Sequence, residues 1–238
     1  MGLELKILSM RTDLVIGHNK LPKSSIRLVF VRHGNAEHYG KEIAADSSLT
    51  DIGENQSIEV CQHIIKHYEV DDVFCSELSR TQNTALLLLK NLGLKVKIDC
   101  LLNEAHTFKD WRILTKDTLE KNILRRIIKA EERPEKGESP KDVQGRCEAF
   151  LKHISSDYSN YGKTIAIFGH FSWINMLLNF INGKSSCCNV NCVTEIPNAS
   201  ITEMIIHNTH DDDEFGDVFF TIKKVGDVSH LINSEVTV

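Results

Sequence analysis

Ile26-Arg27-Leu28-Val29-Phe30-Val31-Arg32-His33-Gly34 is the stretch of the chain that decides the fold. Ile26 and Leu28 to Val31 make a short, nearly continuous apolar run, the pattern of a strand covered on both faces. The run ends on an arginine and a histidine, so a guanidinium and an imidazole stand where α/β proteins place phosphate chemistry, at the end of a strand. A histidine held there can attack a phosphoryl group through a ring nitrogen, and the arginine can bind the same group's oxygens in its planar fork. The tripeptide alone is common, and its weight depends on what the rest of the chain sets around it.

Upstream, residues 1–25 end in Leu21-Pro22-Lys23-Ser24-Ser25 and read as a leader, with the ordered core beginning near Ile26. Downstream, the loop from Gly34 to Ser48 leads to Thr50, which can cap a helix carrying Ile52, Cys61, Ile64, Ile65 and Tyr68. Val70 to Cys75 reads as a second strand, Ser76 to Arg80 as the turn into a helix through Leu86 to Leu89, and Val96 to Ile98 as a third strand. From Thr107 to Lys136 the pattern turns charged and helical, with Leu119, Ile123, Leu124, Ile127 and Ile128 on one stripe, so residues 107–138 read as an inserted cap.

Ser139 and Pro140 occupy the cap and first-turn positions of a helix whose inner face is Val143, Cys147, Phe150, Leu151 and Ile154. Thr164 to Phe168 is a further buried strand, followed by Gly169-His170 and an apolar helix from Phe171 to Ile181, which repeats the arrangement of strand and histidine. Ile201 to Ile206 and Val218 to Lys223 read as paired strands joined by the acidic segment His210 to Asp217. The expected fold is α/β, a three-layer α/β/α domain over residues 26–238 with a mainly parallel central sheet and an inserted helical cap.

Composition agrees with one large domain: 238 residues, 41% of them hydrophobic, can bury a substantial core. A net charge of -5 argues against nucleic acid or an anionic membrane as a partner, so an anionic substrate needs a local basic pocket. The seven cysteines are odd in number, scattered, and contain no Cys-x-x-Cys pair, as expected of reduced thiols in a cytoplasmic protein. Neither the cluster Cys187, Cys188 and Cys192 nor the helical pair His63 and His67 has an evident further ligand, so no metal site is assigned. No apolar run reaches signal-peptide or membrane-spanning length.

Three strand ends thus present Arg32 and His33, then Arg80 shortly after Cys75, then His170. In a parallel sheet they can converge on one carboxyl edge. Two arginines can chelate the non-bridging oxygens of a phosphoryl group, and a protonated second histidine can add a third charge-assisted contact. Read singly, each residue has an ordinary alternative: a solvated loop for Arg32-His33, a surface ion pair for Arg80, a core position for His170. A cation in the first turn of a helix opposes the helix dipole, however, so an anionic partner beside Arg80 is physically useful.

With these residues in view, the chain from about Ile26 to Leu231 resembles the histidine phosphatase superfamily, which includes cofactor-dependent phosphoglycerate mutases and many acid and sugar phosphatases. The resemblance rests on Val31-Arg32-His33-Gly34-Asn35, Leu49-Thr50-Asp51-Ile52-Gly53, Ser76 to Ala85, Asn103-Glu104, Gly137-Glu138-Ser139, Gly169-His170, Ile196 to Ile201 and Ser229-His230-Leu231, in the family's order. It implies His33 as the nucleophile forming a phosphohistidine, with Arg32, Arg80 and His170 holding the phosphoryl group and Asn35 adding a side-chain donor. It also implies Glu104 as the proton donor, which the chemistry requires because an alkoxide leaves poorly unless protonated as its bond breaks. Glu37, Glu54 and Glu77 are alternative carboxylates. No cofactor is implied, and a homodimer is left open.

Two departures refine the expectation. Where the mutases continue with a small hydroxyl residue and a Trp-Asn pair, this chain has Ala36, His38 and Tyr39, and where they have Arg-His-Tyr-Gly after the acid, it has Ala105, His106, Thr107 and Phe108. A metal-independent phosphomonoester hydrolase is therefore favoured over a phosphoglycerate mutase, with a catalytically weak phospho-ligand or partner-binding module as the non-enzymatic alternative. The second departure is Phe171, a bulky residue where the family has glycine after its second histidine. The substrate is expected to be a phosphorylated small molecule or phosphoprotein, met by a cap segment that carries Lys109, Trp111, Arg112 and Lys116.

Overall fold

The computed structural model describes residues 21–37, 46–105, 137–183, 193–208 and 218–238. The leader up to residue 20, most of the expected cap, the cluster Cys187 to Cys192 and the acidic segment lie outside the described residues, as do His38, Lys109, Trp111, Arg112 and Lys116.

Six strands form one sheet: β1 (Ser25–Arg32), β2 (Asp72–Cys75), β3 (Val96–Ile98), β4 (Thr164–Gly169), β5 (Ile201–Asn208) and β6 (Val218–Asp227). Their spatial order is β3-β2-β4-β1-β5-β6. Pairing is parallel from β3 through β1 and antiparallel for β5 and β6. Among the described residues four helices flank it: α1 (Asp51–His67), α2 (Ser79–Leu92), α3 (Pro140–Ser156) and α4 (Phe171–Ile181).

The near-continuous apolar runs of β1 and β4 explain the three layers, because successive side chains point to opposite faces and both faces are covered. Leu28 and Phe30 of β1, with Ile165 and Ile167 of β4, pack into a cluster with Phe150 and Ile154 of α3 and Trp173 and Leu177 of α4. Val29 and Val31, with Ala166 and Phe168, pack on the other face against Val60 and Ile64 of α1 and Ala85 and Leu88 of α2.

Local signals set the helix starts. Thr50 caps α1 by accepting from the Gly53 amide, and Ser139 with Asp142 forms a capping box on α3, with Pro140 in the first turn. Ile52 departs from the expected inner face of α1, being 37% exposed. The buried positions in that part of the helix are Gly53, Gln56 and Ser57, because there α1 faces the backbone of the loop after β1 instead of the sheet. The approach is so close that a Cβ on Gly53 would overlap the Asn35 carbonyl oxygen, and one on Gly34 would overlap that of Gly53.

Because β1, β2 and β4 are parallel and in register, with Arg32 opposite Gly169 and Cys75 opposite Phe168, their carboxyl ends finish at one level. Among the described residues, no helix is long and apolar enough to cross a membrane. Cys61, Cys75, Cys100 and Cys147 are unpaired thiols, and burial pushes that of Cys61 up to about 12.

Candidate active site

The shared edge brings the expected basic residues together. Arg32, His33, Arg80 and His170 are all buried, and the His33 and His170 rings lie 5.2 Å apart between centroids. His33 and His170 immediately follow β1 and β4, and Arg80 sits in the first turn of α2, beyond the end of β2.

The proton positions of both histidines follow from their partners. His33 Nδ1 lies 2.7 Å from the Gly34 carbonyl oxygen, which can only accept, so Nδ1 carries the proton and Nε2 the lone pair. His170 Nδ1 lies 3.3 Å from an Arg80 guanidinium nitrogen, which can only donate, so the proton of His170 is on Nε2. That proton goes to Ser76 Oγ at 2.8 Å, and Ser76 Oγ is in turn 2.9 Å from Thr81 Oγ1, which donates to the Leu78 carbonyl. His170 is neutral as the site stands: burial first, then its neighbour His33 and the cations Arg80, Arg32 and Arg146, hold it well below the ordinary imidazole value. The proton expected on His170 when it holds a phosphoryl group is opposed here by the burial of a ring already facing two arginines.

Both arginines keep their charge at a cost. Arg32 is pushed down to about 10 by burial, with Glu104 opposing and Arg80 adding to the shift. Burial also lowers Arg80, against the opposing charges of Glu104 and Asp46. Arg32 donates one amino group to the Ile196 carbonyl at 2.6 Å, while its buried Nε has no hydrogen-bond partner among the described residues. Its guanidinium carbon stands 5.3 Å from the centre of the Phe171 ring. The bulky residue that replaces glycine after His170 therefore forms a cation–π contact with Arg32.

α2 begins without an acidic residue in its first turn and without a side-chain cap from Leu78, although Asp46 accepts from Ser79 N and Oγ. Glu104 lies beside the arginines. Its Oε1 accepts from the Ala105 amide at 2.8 Å and its Oε2 from the Ser172 amide at 3.3 Å, at the start of α4. Arg146 steadies this segment, donating to the Leu101 and Asn103 carbonyls while both its Nε and Nη2 bind Glu138. Of the alternative carboxylates, Glu77 accepts from Asn103 Nδ2 in an exposed pair and Glu54 sits in the first turn of α1. Asn35 turns its side-chain oxygen to Thr50 Oγ1 at 2.7 Å, which leaves the amide nitrogen as its other polar end.

Sequence reading did not anticipate the residues that hold these groups. Thr84 Oγ1 accepts from the Gly34 amide, Gln56 from the Asn35 amide, and Asn198 Nδ2 donates to the His33 carbonyl. Ala199, at the same turn, takes φ 54 to bring its amide onto that carbonyl as well. Ser76 carried the one available signal, since it directly follows β2 at the edge where His33 and His170 stand. His63 and His67 gain a neighbour in His230, whose ring lies 5.2 Å from that of His63, but among the described residues no group could hold a metal ion.

A profile of the histidine phosphatase superfamily (branch 1) matches residues 28–212. The glucosyl-3-phosphoglycerate phosphatase of Mycobacterium tuberculosis is 27% identical over 143 residues, covering 57% of this chain and 63% of that protein. A 2,3-bisphosphoglycerate-dependent phosphoglycerate mutase of Mesorhizobium japonicum is 30% identical over 172 residues, covering 66% of this chain and 82% of that one. In fold, the mycobacterial glucosyl-3-phosphoglycerate phosphatase solved with inorganic phosphate superposes with a TM-score of 0.71 at 22% identity, covering 87% of this chain and 99% of that chain. The strand-end histidines and arginines, the sheet order and these matches agree, and the chain belongs to the histidine phosphatase superfamily.

Proposed function

We propose that the chain is a metal-independent phosphomonoester hydrolase that works through a phosphohistidine on His33. The observation that carries this reading is the pair of buried guanidinium groups, Arg32 and Arg80, beside a histidine whose Nε2 lone pair is set by the Gly34 carbonyl. Buried cations already lowered by desolvation gain from a dianion that restores polar contacts, and the gain grows as charge develops in transfer.

In this reading His33 Nε2 attacks phosphorus, Arg32, Arg80 and Asn35 hold the non-bridging oxygens, and His170, protonated on Nδ1 once the dianion is bound, donates to the same group. Glu104 protonates the leaving oxygen as its bond to phosphorus breaks, then takes a proton from the water that attacks the phosphohistidine. Orthophosphate leaves, and His33 returns to its starting state. Two named relatives act as phosphatase and mutase respectively. The absence here of the arginine and tyrosine that the mutase pattern places after its acid supports release of phosphate to water. A phosphorylated small molecule of the sugar or glycerate class is the proposed substrate, turned over in the cytoplasm.

The test is turnover of p-nitrophenyl phosphate, then of phosphoglycerates, in the presence of a chelator. The wild type should release orthophosphate and His33→Ala should not. Phosphate transfer between phosphoglycerates faster than its release would favour the mutase, and phospho-ligand binding without any turnover would favour the binding module.

A further inference from the structure

The two peptide planes around Gly34 are gripped at both ends. In the first, the His33 carbonyl accepts from Asn198 Nδ2 at 3.1 Å and the Gly34 amide donates to Thr84 Oγ1 at 3.0 Å. In the second, the Gly34 carbonyl accepts from His33 Nδ1 and the Asn35 amide donates to Gln56 Oε1 at 2.8 Å. The oxygen that sets the tautomer of His33 thus belongs to a peptide held from its other side by Gln56.

Gln56 and Asn198 meet at one residue far along the chain. Gln56 Nε2 donates to Thr237 Oγ1 at 3.0 Å and to the Glu235 carbonyl at 2.7 Å. Thr237 Oγ1 donates to Asn198 Oδ1 at 3.1 Å, and the Thr237 carbonyl accepts from the Asn198 amide at 2.8 Å. One hydroxyl therefore takes a hydrogen bond from the residue holding Asn35 and gives one to the residue holding His33. The segment that carries it lies along α1, where Glu59 accepts from the Ile232 and Asn233 amides. Gln56 is wholly buried and Asn198 is 2% exposed, so neither amide can turn to water when Thr237 is lost.

We propose that Thr237, acting through Gln56 and Asn198, is a positioning residue that fixes the Gly34–Asn35 peptide and so keeps the Nε2 lone pair on His33. This rests on the reading of His33 as the attacking residue. Without the hydroxyl, Gln56 keeps only the Glu235 carbonyl on its amide end and Asn198 Oδ1 loses a donor, so the peptide can rotate. Rotation removes the acceptor from Nδ1, and a neutral imidazole then shifts its proton towards Nε2, the atom that must attack.

Thr237→Val, which keeps the shape and removes the hydroxyl, tests this against Thr237→Ser, which keeps the hydroxyl. The first readout is the 15N NMR signature of the His33 ring, assigned with His33→Gln, at a pH and temperature where circular dichroism shows all proteins folded. Thr237→Val should raise the Nε2-protonated fraction, and Thr237→Ser should match the wild type. The second is turnover of p-nitrophenyl phosphate: kcat should fall about tenfold in Thr237→Val with KM changed by less than about twofold, and Thr237→Ser should restore it. Unchanged His33 ring signals in Thr237→Val overturn the proposal, as does an equal loss of kcat in both variants. Turnover that survives His33→Ala overturns the nucleophile reading instead, and the ring signals still decide on Thr237.

Discussion

At the scale of single residues, the site is a set of buried donors and one lone pair. The arginines are held as cations in a desolvated place, and His170 is driven neutral by burial and by the cations around it. Phe171 belongs to this balance, since its ring lies against the Arg32 guanidinium and packs against the hydrophobic core. Phe171→Leu keeps the packing volume nearly constant and removes the π face, a loss of roughly 1 kcal/mol. Inhibition by orthovanadate should weaken roughly fivefold while the unfolding midpoint in urea stays close to that of the wild type. An unchanged inhibition constant would show that the ring does not orient Arg32. Of the groups proposed to meet phosphate, Arg32, His33, Arg80 and His170 were legible in the sequence because each stands at a strand end or helix start that local pattern announces, whereas Asn35, in the loop after β1, came only with the family resemblance. The residues that hold them were not, because Thr84, Gln56, Asn198 and Thr237 act on backbone or side-chain atoms across separations of 21 to 181 residues. A polar residue in a helix gives no local sign of such a partner.

At the scale of elements, strand runs and capping residues were readable, and β1, β4, α3 and α4 appear where their patterns place them. Helix α1 shows where periodicity alone falls short. Ile52 was assigned inward by spacing, yet it is exposed, and Gly53 faces inward because the loop after β1 crosses the first turn of the helix. That crossing gives Gly53→Ala an inverted sign. In an ordinary helix interior the change gains about 0.5 to 1 kcal/mol, but here the new methyl meets the Asn35 backbone, which cannot swing aside as a side chain can. Chemical denaturation should show Gly53→Ala less stable than the wild type, and turnover should fall because Asn35 and Gly34 are displaced. A gain in stability would mean that α1 and the loop can separate without cost.

At the scale of the whole molecule, several buried or half-buried histidines make the fold sensitive to acid. His63 is lowered to about 4, by burial and then by His230, His67 and Lys224, and burial also lowers His207, His230 and His170. The unfolded chain binds protons at these groups near pH 6.5 while the folded chain does not, so stability falls as the pH drops from about 6.5 towards 4. Asp72 and Asp227, lowered by their lysine and amide partners, add stability that is lost only below the ordinary carboxylate range. The urea midpoint should therefore decline through pH 6 to 4.5, and His63→Gln should make that decline shallower. A midpoint constant over that range would contradict the neutral, buried state of these rings. The fold, the shared strand edge and the paired histidines support the proposal that His33 is the nucleophile that takes up the phosphoryl group. Acid-sensitive, base-stable labelling, located by mass spectrometry after rapid mixing with a phosphorylated substrate and alkaline quench, tests this most directly. A phosphoryl group on His33, absent in His33→Ala, is the predicted result, and turnover without any label on His33 would contradict it.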